Sequence, residues 1–283
     1  MGTTIVVDQN VMQRDVLLDF IAKNPESKFV IPDTGLLEMV KSEQWESTFR
    51  RSFAAFVPVV GRCFMSMSIQ EARDLELERR ESAIDMLLPD DFTKMLRGAI
   101  AESQTGNGST MDQLRARMVE TRSELCQHEL NPQANREELW RLVNELRDKL
   151  PEDQIKACRR GGTPARAARV LIAQSVGDAV YGAHMRNVGA PPDLALGLWQ
   201  AKSVTRRWCY LLVHHALQWL GDGGLDSAPD KVVVNDILDQ DYVLLGSIFD
   251  GVLSLETDVN LAIQDLTAML ALPPSASAPV GAV

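Results

Sequence analysis

The first forty residues alternate short apolar segments with segments of helical periodicity, and this alternation constrains the fold more than any other feature. Residues 4–7 are apolar, β-branched and followed by polar residues, which predicts a buried strand. Residues 11–22 carry apolar side chains at helical spacing. Residues 28–31 predict a second strand, after which Asp33 or Thr34 can cap a second helix. The order β-α-β-α is typical of a parallel sheet packed against helices.

The middle of the chain has a different pattern. Residues 68–85, 111–150 and 165–220 are mostly helix-forming, and they are separated by short segments rich in Pro and Gly. No fixed-period repeat is visible, which disfavours a helical solenoid. After the turn-forming residues 221–224 the α/β pattern returns, with an apolar segment over 232–234, a helix over 236–249, a strand over 252–255 and a closing helix over 260–270.

These patterns predict an α/β fold whose parallel sheet, flanked by helices, is interrupted by a large all-helical insertion. The first part of the α/β domain spans residues 1–60, the insertion spans 61–224, and the second part spans 225–272. Residues 273–283 are rich in Pro, Ser and Ala and are predicted to be disordered, because they bury too little apolar surface to fold.

Composition restricts the class of protein. The 283 residues carry a net charge of −10, which argues against a protein that coats nucleic acid without specificity. Residues 156–215 nevertheless contain nine Lys and Arg against two Asp, so a locally basic face is expected there. The four cysteines are scattered without a CxxC pair, and neither a secretory signal nor a long apolar span is visible. We therefore expect a cytoplasmic protein that does not enter membranes.

Four carboxylates lie where predicted strands end or predicted helices begin. Asp8 follows the first strand, Glu38 lies one turn inside the second helix, Asp239 lies near a helix start, and Glu256 follows the last strand. Asp258 is an alternative to Glu256. Hard cations such as Mg²⁺ or Mn²⁺ take oxygen ligands of this kind, and such an ion activates water toward a phosphodiester. If the two ends of the chain meet, these acids predict one metal site.

The same segments resemble the motifs of PIN-like nucleases. Val-Val-Asp8-Gln-Asn10 resembles the strand and Asp-x-Asn that open those domains, and Ile-Pro-Asp33-Thr-Gly-Leu-Leu-Glu38 resembles their second strand and the helix bearing a glutamate. Asn235-Asp236-x-x-Asp239-x-x-Tyr242 and the later Ser254-Leu255-Glu256 resemble the third acidic helix and the final strand, which in that family ends in Thr-x-Asp. The resemblance covers residues 4–60 and 225–270. It implies a metal-dependent endoribonuclease, with RNA as the substrate.

Other interpretations of the acids remain open. Asp8 and Asp236 can be helix caps, Glu38 and Asp241 can be solvent-facing helix residues, and capping can also explain Glu256 together with Asp258. The spacing Asp239-x-Asp241 also resembles Toprim nucleases. The Asp8-x-Asn10 segment resembles the opening of a phosphatase family, but the second aspartate of that motif is absent here.

A basic and aromatic segment precedes the second group of acids. Lys202 and Arg206 share one helical face, Arg207 is adjacent, and Trp208 and Tyr210 follow. We predict that the three cations position a phosphate backbone, together with Asn10, and that the aromatic rings can stack on bases. The alternative is that the aromatic residues are core and the cations are solvated.

The pattern as a whole predicts a nuclease that hydrolyses phosphodiester bonds, with RNA preferred over DNA. The alternative is a catalytically inactive PIN-like scaffold whose helical insertion binds a partner protein or a second copy of the chain.

Overall fold

The computed structural model describes residues 2–40, 44–125, 132–159, 162–226 and 228–279. The chain divides into two compact units. Unit 1 comprises the described residues within Met1–Ile69, Asp85–Asn131 and Asp241–Leu261. Unit 2 comprises those within Gln70–Ile84, Pro132–Gln240 and Ala262–Val283. Among the predicted site acids, unit 1 contains Asp8, Glu38, Glu256 and Asp258, whereas unit 2 contains Asp239.

Unit 1 contains a four-stranded parallel sheet. The strands are β1 (Thr4–Val7), β2 (Lys28–Ile31), β3 (Cys63–Met65) and β4 (Val252–Leu253), in the order β3-β2-β1-β4. In β1, Ile5 is paired with Phe29 of β2, and Val6 is paired with Val252 of β4. The strands are short and almost wholly apolar, as expected for a parallel sheet that is buried on both faces.

The helices of unit 1 bury this sheet. They are α1 (Asp15–Lys23), α2 (Asp33–Val40), α3 (Trp45–Phe53), α5 (Asp90–Ser103) and α6 (Ser109–Leu125), and 3-10 turns cover Gln9–Val11 and Ala54–Arg62. Phe29 lies at the centre of the core, with its ring 5.5 Å from that of Phe56 and 6.3 Å from that of Phe20. Edge-to-face contacts of this kind add to the burial of three large side chains.

All the regular secondary structure in the described part of unit 2 is helical. Its helices are α4 (Ile69–Arg79), α7 (Pro132–Lys149), α8 (Glu152–Arg159), α9 (Gly162–Asn187), α10 (Pro192–Gln200) and α11 (Val204–Gly221), with parts of α12 (Asp230–Gly246) and α13 (Thr257–Ala271). The pair α9 and α11 packs closely at Gly177, where an added Cβ would lie 2.6 Å from Cδ1 of Tyr210. Any larger residue at this position would push the two helices apart.

The mixed α/β architecture and the parallel sheet that were predicted are confirmed, and β1 and β2 have the predicted bounds. The prediction that residues 61–224 are entirely helical is wrong, because Cys63–Met65 forms the edge strand β3. The apolar residues 232–234 lie inside α12, which begins at Asp230 rather than near residue 236. The two compact units also divide the chain differently from the three predicted segments, since residues 85–125 belong with the sheet.

The C-terminal tail also differs from its prediction. Within unit 2 the amide of Gln174 donates to the carbonyl of Pro273 at 3.0 Å, and Ser275 Oγ donates to Asp178 at 2.7 Å. Ala278 is buried in an apolar cluster. Residues 273–279 are therefore ordered by specific contacts, while residues 280–283 lie outside the described residues.

None of the helices that the structure describes is long and apolar enough to cross a lipid bilayer.

Candidate functional site

The order in which strands are added to the sheet of unit 1 reverses at β1, and the topology predicts a ligand site at this point. From β1 the chain adds β2 and then β3 on one side, whereas β4 pairs with the other side of β1. In open parallel sheets, ligands bind outside the carboxyl ends of the strands at such a switch point. The residues that follow the two strands here are Asp8 and Ser254. The predicted acids Asp8 and Glu256 therefore lie at the edge where a site is expected.

Asp8 is a buried carboxylate with few partners. Its side chain is 4% exposed, and Oδ1 accepts from the backbone N–H of Asn10 at 3.0 Å, which caps the 3-10 turn. Oδ2 accepts from Ser254 Oγ at 2.6 Å. Burial raises the pKa of Asp8, and the hydrogen bonds from Ser254 and Asn10 offset this only in part. The causes of this shift are burial and hydrogen bonds to neutral groups, so burial is the dominant influence on this carboxylate.

Asn10 joins the loop after β1 to the loop after β4. Its Oδ1 accepts from the backbone N–H of Leu255 at 3.1 Å, and its Nδ2 donates to Ser254 Oγ at 3.2 Å and to Glu256 Oε1 at 3.5 Å. The backbone N–H of Glu256 also donates to Ser254 Oγ at 2.9 Å. Both ends of the Asn10 amide therefore hold the two loops together, and its predicted role in substrate binding stays a prediction.

Glu38 meets the same edge from α2. It is half-buried, and its Oε2 accepts a hydrogen bond from the hydroxyl of Tyr242 at 2.9 Å. Tyr242 is completely buried at the C-terminal end of α12. Burial raises its pKa well above the ordinary value, and the negative charges of Glu38 and Asp8 raise it further, whereas the backbone N–H of Gln9 lowers it. The charges of Asp8 and Glu38 thus act on one hydroxyl group.

A second contact ties α12 to the end of β2. Thr34 Oγ1 donates to Asp241, and the backbone N–H of Thr34 is bonded to Asp33 Oδ1 at 2.8 Å. Asp241 was interpreted as a solvated position, but the structure shows it half-buried and engaged with α2. Within unit 1, Asp241 and Tyr242 of α12 therefore both contact α2.

The remaining predicted acids are placed differently. Asp239 is half-buried on the part of α12 that belongs to unit 2, and its predicted role stays a prediction. Glu256 is exposed at the rim of the site, one residue before α13. Asp258 is exposed in the first turn of α13, where a negative charge is favourable to the helix dipole.

The prediction that Arg206 and Arg207 bind phosphate is corrected, because both side chains are buried. Arg206 is 3% exposed; Nη1 donates to the carbonyl of Trp199 at 2.8 Å and Nη2 to Tyr210 Oη at 2.7 Å. Its guanidinium stacks 3.8 Å from the Trp199 ring. Arg207 is also buried, and its Nε donates to the carbonyl of Lys202 at 2.9 Å. Lys202 alone among these three is exposed.

The edge formed by Asp8, Glu38 and Glu256 offers hard oxygen donors. No group of three or more His, Cys, Asp or Glu side chains able to hold a metal ion is found in the described part of the chain, and the predicted site of four acids stays a prediction. Mg²⁺, however, is commonly held by one or two carboxylates, with water and substrate phosphate completing its ligands. Asp8 and Glu38 are two carboxylates of this edge, so the chemistry of the donor set fits that smaller requirement.

Two residues of this edge were not predicted to belong to it, namely Ser254 as a partner of Asp8 and Tyr242 as a partner of Glu38. The position of Ser254 directly after a predicted strand was a usable signal, because parallel strands end at the same edge. Tyr242 belongs to the segment that resembles the third acidic helix of PIN-like nucleases, but its bond to Glu38 depends on how α12 packs on α2, which no strand pattern predicts.

Comparison with known proteins yields no relative. No protein-family model matches the chain, and no curated protein or solved structure matches it significantly. The resemblance to PIN-like nucleases therefore stays a prediction.

Proposed function

We propose that the protein is a metal-dependent nuclease whose reaction takes place at the β1–β4 edge of unit 1. The observation that carries the proposal is the buried Asp8 carboxylate, which lies at the switch point of a parallel sheet, accepts one hydrogen bond on each oxygen and has a raised pKa. A buried acid with a perturbed pKa in such a position is a common sign of a functional site. The choice of RNA over DNA rests on the PIN-like resemblance alone.

Asp8 and Glu38 are the residues that would hold Mg²⁺ or Mn²⁺. When bound there, such an ion supplies an activated water and neutralises charge on the scissile phosphate. The protein's own contribution is to orient the two carboxylates. Ser254 Oγ fixes Asp8 Oδ2 by a hydrogen bond of 2.6 Å, and the bridge made by Asn10 holds Ser254 in place. Glu256, exposed beside this bridge, is available to a substrate that approaches from solvent.

The test is cleavage of labelled single-stranded RNA, and of DNA of the same sequence, by the full chain with Mn²⁺, with Mg²⁺ and with EDTA. We expect cleavage only with a divalent ion. Asp8→Asn preserves the shape of the side chain but removes its charge, and we expect a loss of about 100-fold or more, since even outer partners of a metal site cost about 10- to 100-fold. Asp19→Asn is the matched control, because Asp19 is an exposed acid of α1 in the same unit, with its side chain 71% accessible.

Two results would contradict the proposal. One is equal cleavage by the wild type and Asp8→Asn. The other is a folded wild type that neither cleaves RNA or DNA nor binds Mn²⁺, which would favour the inactive scaffold that binds a partner protein.

A further inference from the structure

Tyr242 contributes an apolar body and one polar group to the interior of unit 1. The whole side chain is inaccessible to solvent, and its hydroxyl donates to Glu38 Oε2 at 2.9 Å. A buried hydroxyl lowers stability unless it is hydrogen-bonded, so this contact satisfies the group. A phenylalanine would fill the same space without the polar group, so packing alone does not require tyrosine here.

The backbone of α2 leaves room for this contact. At Gly35, one turn before Glu38, an added Cβ would lie 3.2 Å from the Tyr242 hydroxyl, which is closer than an ordinary van der Waals contact. Any side chain at this position would therefore press on the hydroxyl. The absence of a side chain at Gly35 and the hydrogen bond to Glu38 together determine where the hydroxyl lies relative to α2.

The Tyr242 hydroxyl donates to one oxygen of the Glu38 carboxylate at 2.9 Å, so that oxygen is held against α12. A glutamate side chain has three rotatable bonds, and one that is free to move loses this freedom when it binds an ion. A fixed donor reduces that loss by holding the carboxylate in advance.

We propose that Tyr242 is a positioning residue, which holds the Glu38 carboxylate so that Asp8 and Glu38 can share one divalent cation. The inference rests on the proposed function, since it assigns a partner to one of the two acids of that site. Outer partners of metal-binding side chains commonly change metal affinity by about 10- to 100-fold when removed. Tyr242 does not itself contact the reacting atoms in this assignment.

The test is Mn²⁺ affinity, measured by calorimetry and by the electron paramagnetic resonance signal of free Mn²⁺, on the full chain. We expect Tyr242→Phe to weaken Mn²⁺ binding about 10-fold. Tyr181→Phe is the matched control in unit 2, because it removes another buried hydroxyl, which donates to the carbonyl of Ala195 at 2.7 Å. This control is expected to bind Mn²⁺ as the wild type does.

A double-mutant cycle separates positioning from general loss of structure. If Tyr242 acts through Glu38, Tyr242→Phe should weaken binding little further once Glu38→Gln is present. Gly35→Ala supplies a second variant that keeps both side chains, and by pressing on the hydroxyl it is expected to weaken Mn²⁺ binding in the same direction. It keeps the inference testable if Tyr242→Phe does not fold.

The outcomes distinguish the inference from the function on which it rests. Equal Mn²⁺ affinity in the wild type, Tyr242→Phe and Gly35→Ala, with Asp8→Asn impaired, would overturn the positioning role and leave the proposed function standing. Additive losses in Tyr242→Phe and Glu38→Gln would overturn it as well. A folded wild type that binds no Mn²⁺ would overturn both.

Discussion

Each unit buries a carboxylate, and the two carboxylates differ in how many hydrogen bonds they accept. In unit 2, Glu76 is completely buried; Oε1 accepts from the backbone N–H groups of Ala83 and Val204, and Oε2 accepts from the N–H and the hydroxyl of Thr205. In unit 1, Asp8 is 4% exposed and accepts one hydrogen bond on each oxygen. The first acid is saturated by the start of α11, whereas the second retains acceptor capacity at a sheet edge.

The same distinction holds for the neighbouring polar groups of unit 2. Asp178 is completely buried, and its two oxygens accept from Trp199, Tyr210, Gln174 and Ser275. Arg206 reaches this network through the Tyr210 hydroxyl. A buried polar network whose members are all bonded stabilises one packing arrangement of its helices. We therefore interpret this network of unit 2 as structural, whereas the edge of unit 1 is the place where we propose that the reaction occurs.

The strongest test of the difference between the two carboxylates is to convert each of them to its amide. Glu76→Gln places an NH₂ group against N–H donors of α11, and we expect the free energy of unfolding to fall by about 3 kcal/mol. Asp8→Asn keeps an acceptor for the N–H of Asn10 and removes a buried charge, which offsets the weakened contact with Ser254, so we expect a change within about 1 kcal/mol. Urea titrations followed by circular dichroism measure both.

Tryptophan fluorescence shows in which unit a variant has lost stability. Unit 2 holds Trp140, Trp199, Trp208 and Trp219, whereas Trp45 lies in unit 1, so the fluorescence transition chiefly follows unit 2. Glu76→Gln should shift that transition. A larger loss of stability from Asp8→Asn than from Glu76→Gln would contradict the division into a structural and a functional acid.

A second test uses pH, because two acids have pKa values displaced in opposite directions. Asp8 has a raised pKa, so its ionised form destabilises the folded state above that pKa, and the penalty disappears as pH falls toward the ordinary value of 3.8. For Asp236 in unit 2, burial raises the pKa, but the hydrogen bond and charge of His215 and the indole of Trp219 outweigh it, so the net pKa is lowered. Its stabilisation is present above 3.8 and is lost as pH falls through the lowered pKa.

We therefore expect the two asparagine variants to differ from the wild type with opposite sign at pH 7. Asp8→Asn should be at least as stable as the wild type, with the difference closing as pH falls toward 4. Asp236→Asn should be less stable, with a difference that persists to pH 4 and closes only below it. Urea titrations at several pH values measure these differences, and the same sign for both variants would contradict the assignment.

Sequence predicted the parts of the fold that depend on local pattern. The strands β1 and β2 are β-branched apolar segments bounded by polar residues, and both were located correctly. Strand β3 was missed because Cys63–Met65 is only three residues long and has no alternation, so its pairing with β2 decides its structure. The meeting of the Asp8 and Ser254 loops follows from the rule that parallel strands end at one edge.

The contacts that were not predicted depend on which way a helix face is turned. Arg206 and Tyr210 stand four residues apart on α11, a spacing that allows contact, but sequence alone did not show that this face is buried against Trp199. The same limitation applies to Glu38 and Tyr242, whose bond depends on the packing of α2 with α12. Charge in the sequence was therefore a poor guide to exposure.

Lys202 provides the smallest test, since it is the exposed member of the basic segment whose other two cations are buried. It has a positive φ of 52° after α10, where its N–H bonds the carbonyl of Trp199 and the N–H of Ser203 bonds that of Leu198. This is the helix-ending pattern in which glycine is usual. Lys202→Gly should raise the free energy of unfolding by roughly 0.5 kcal/mol, because the relief of strain exceeds the added freedom of the unfolded chain.

Lys202→Gln, which keeps the strain and removes the charge, is the control, and it should leave stability unchanged. If either variant instead lowers stability as much as Glu76→Gln does, Lys202 contributes to the fold of unit 2 as the buried Arg206 and Arg207 do. The contrast between buried and exposed cations in this segment would then be wrong.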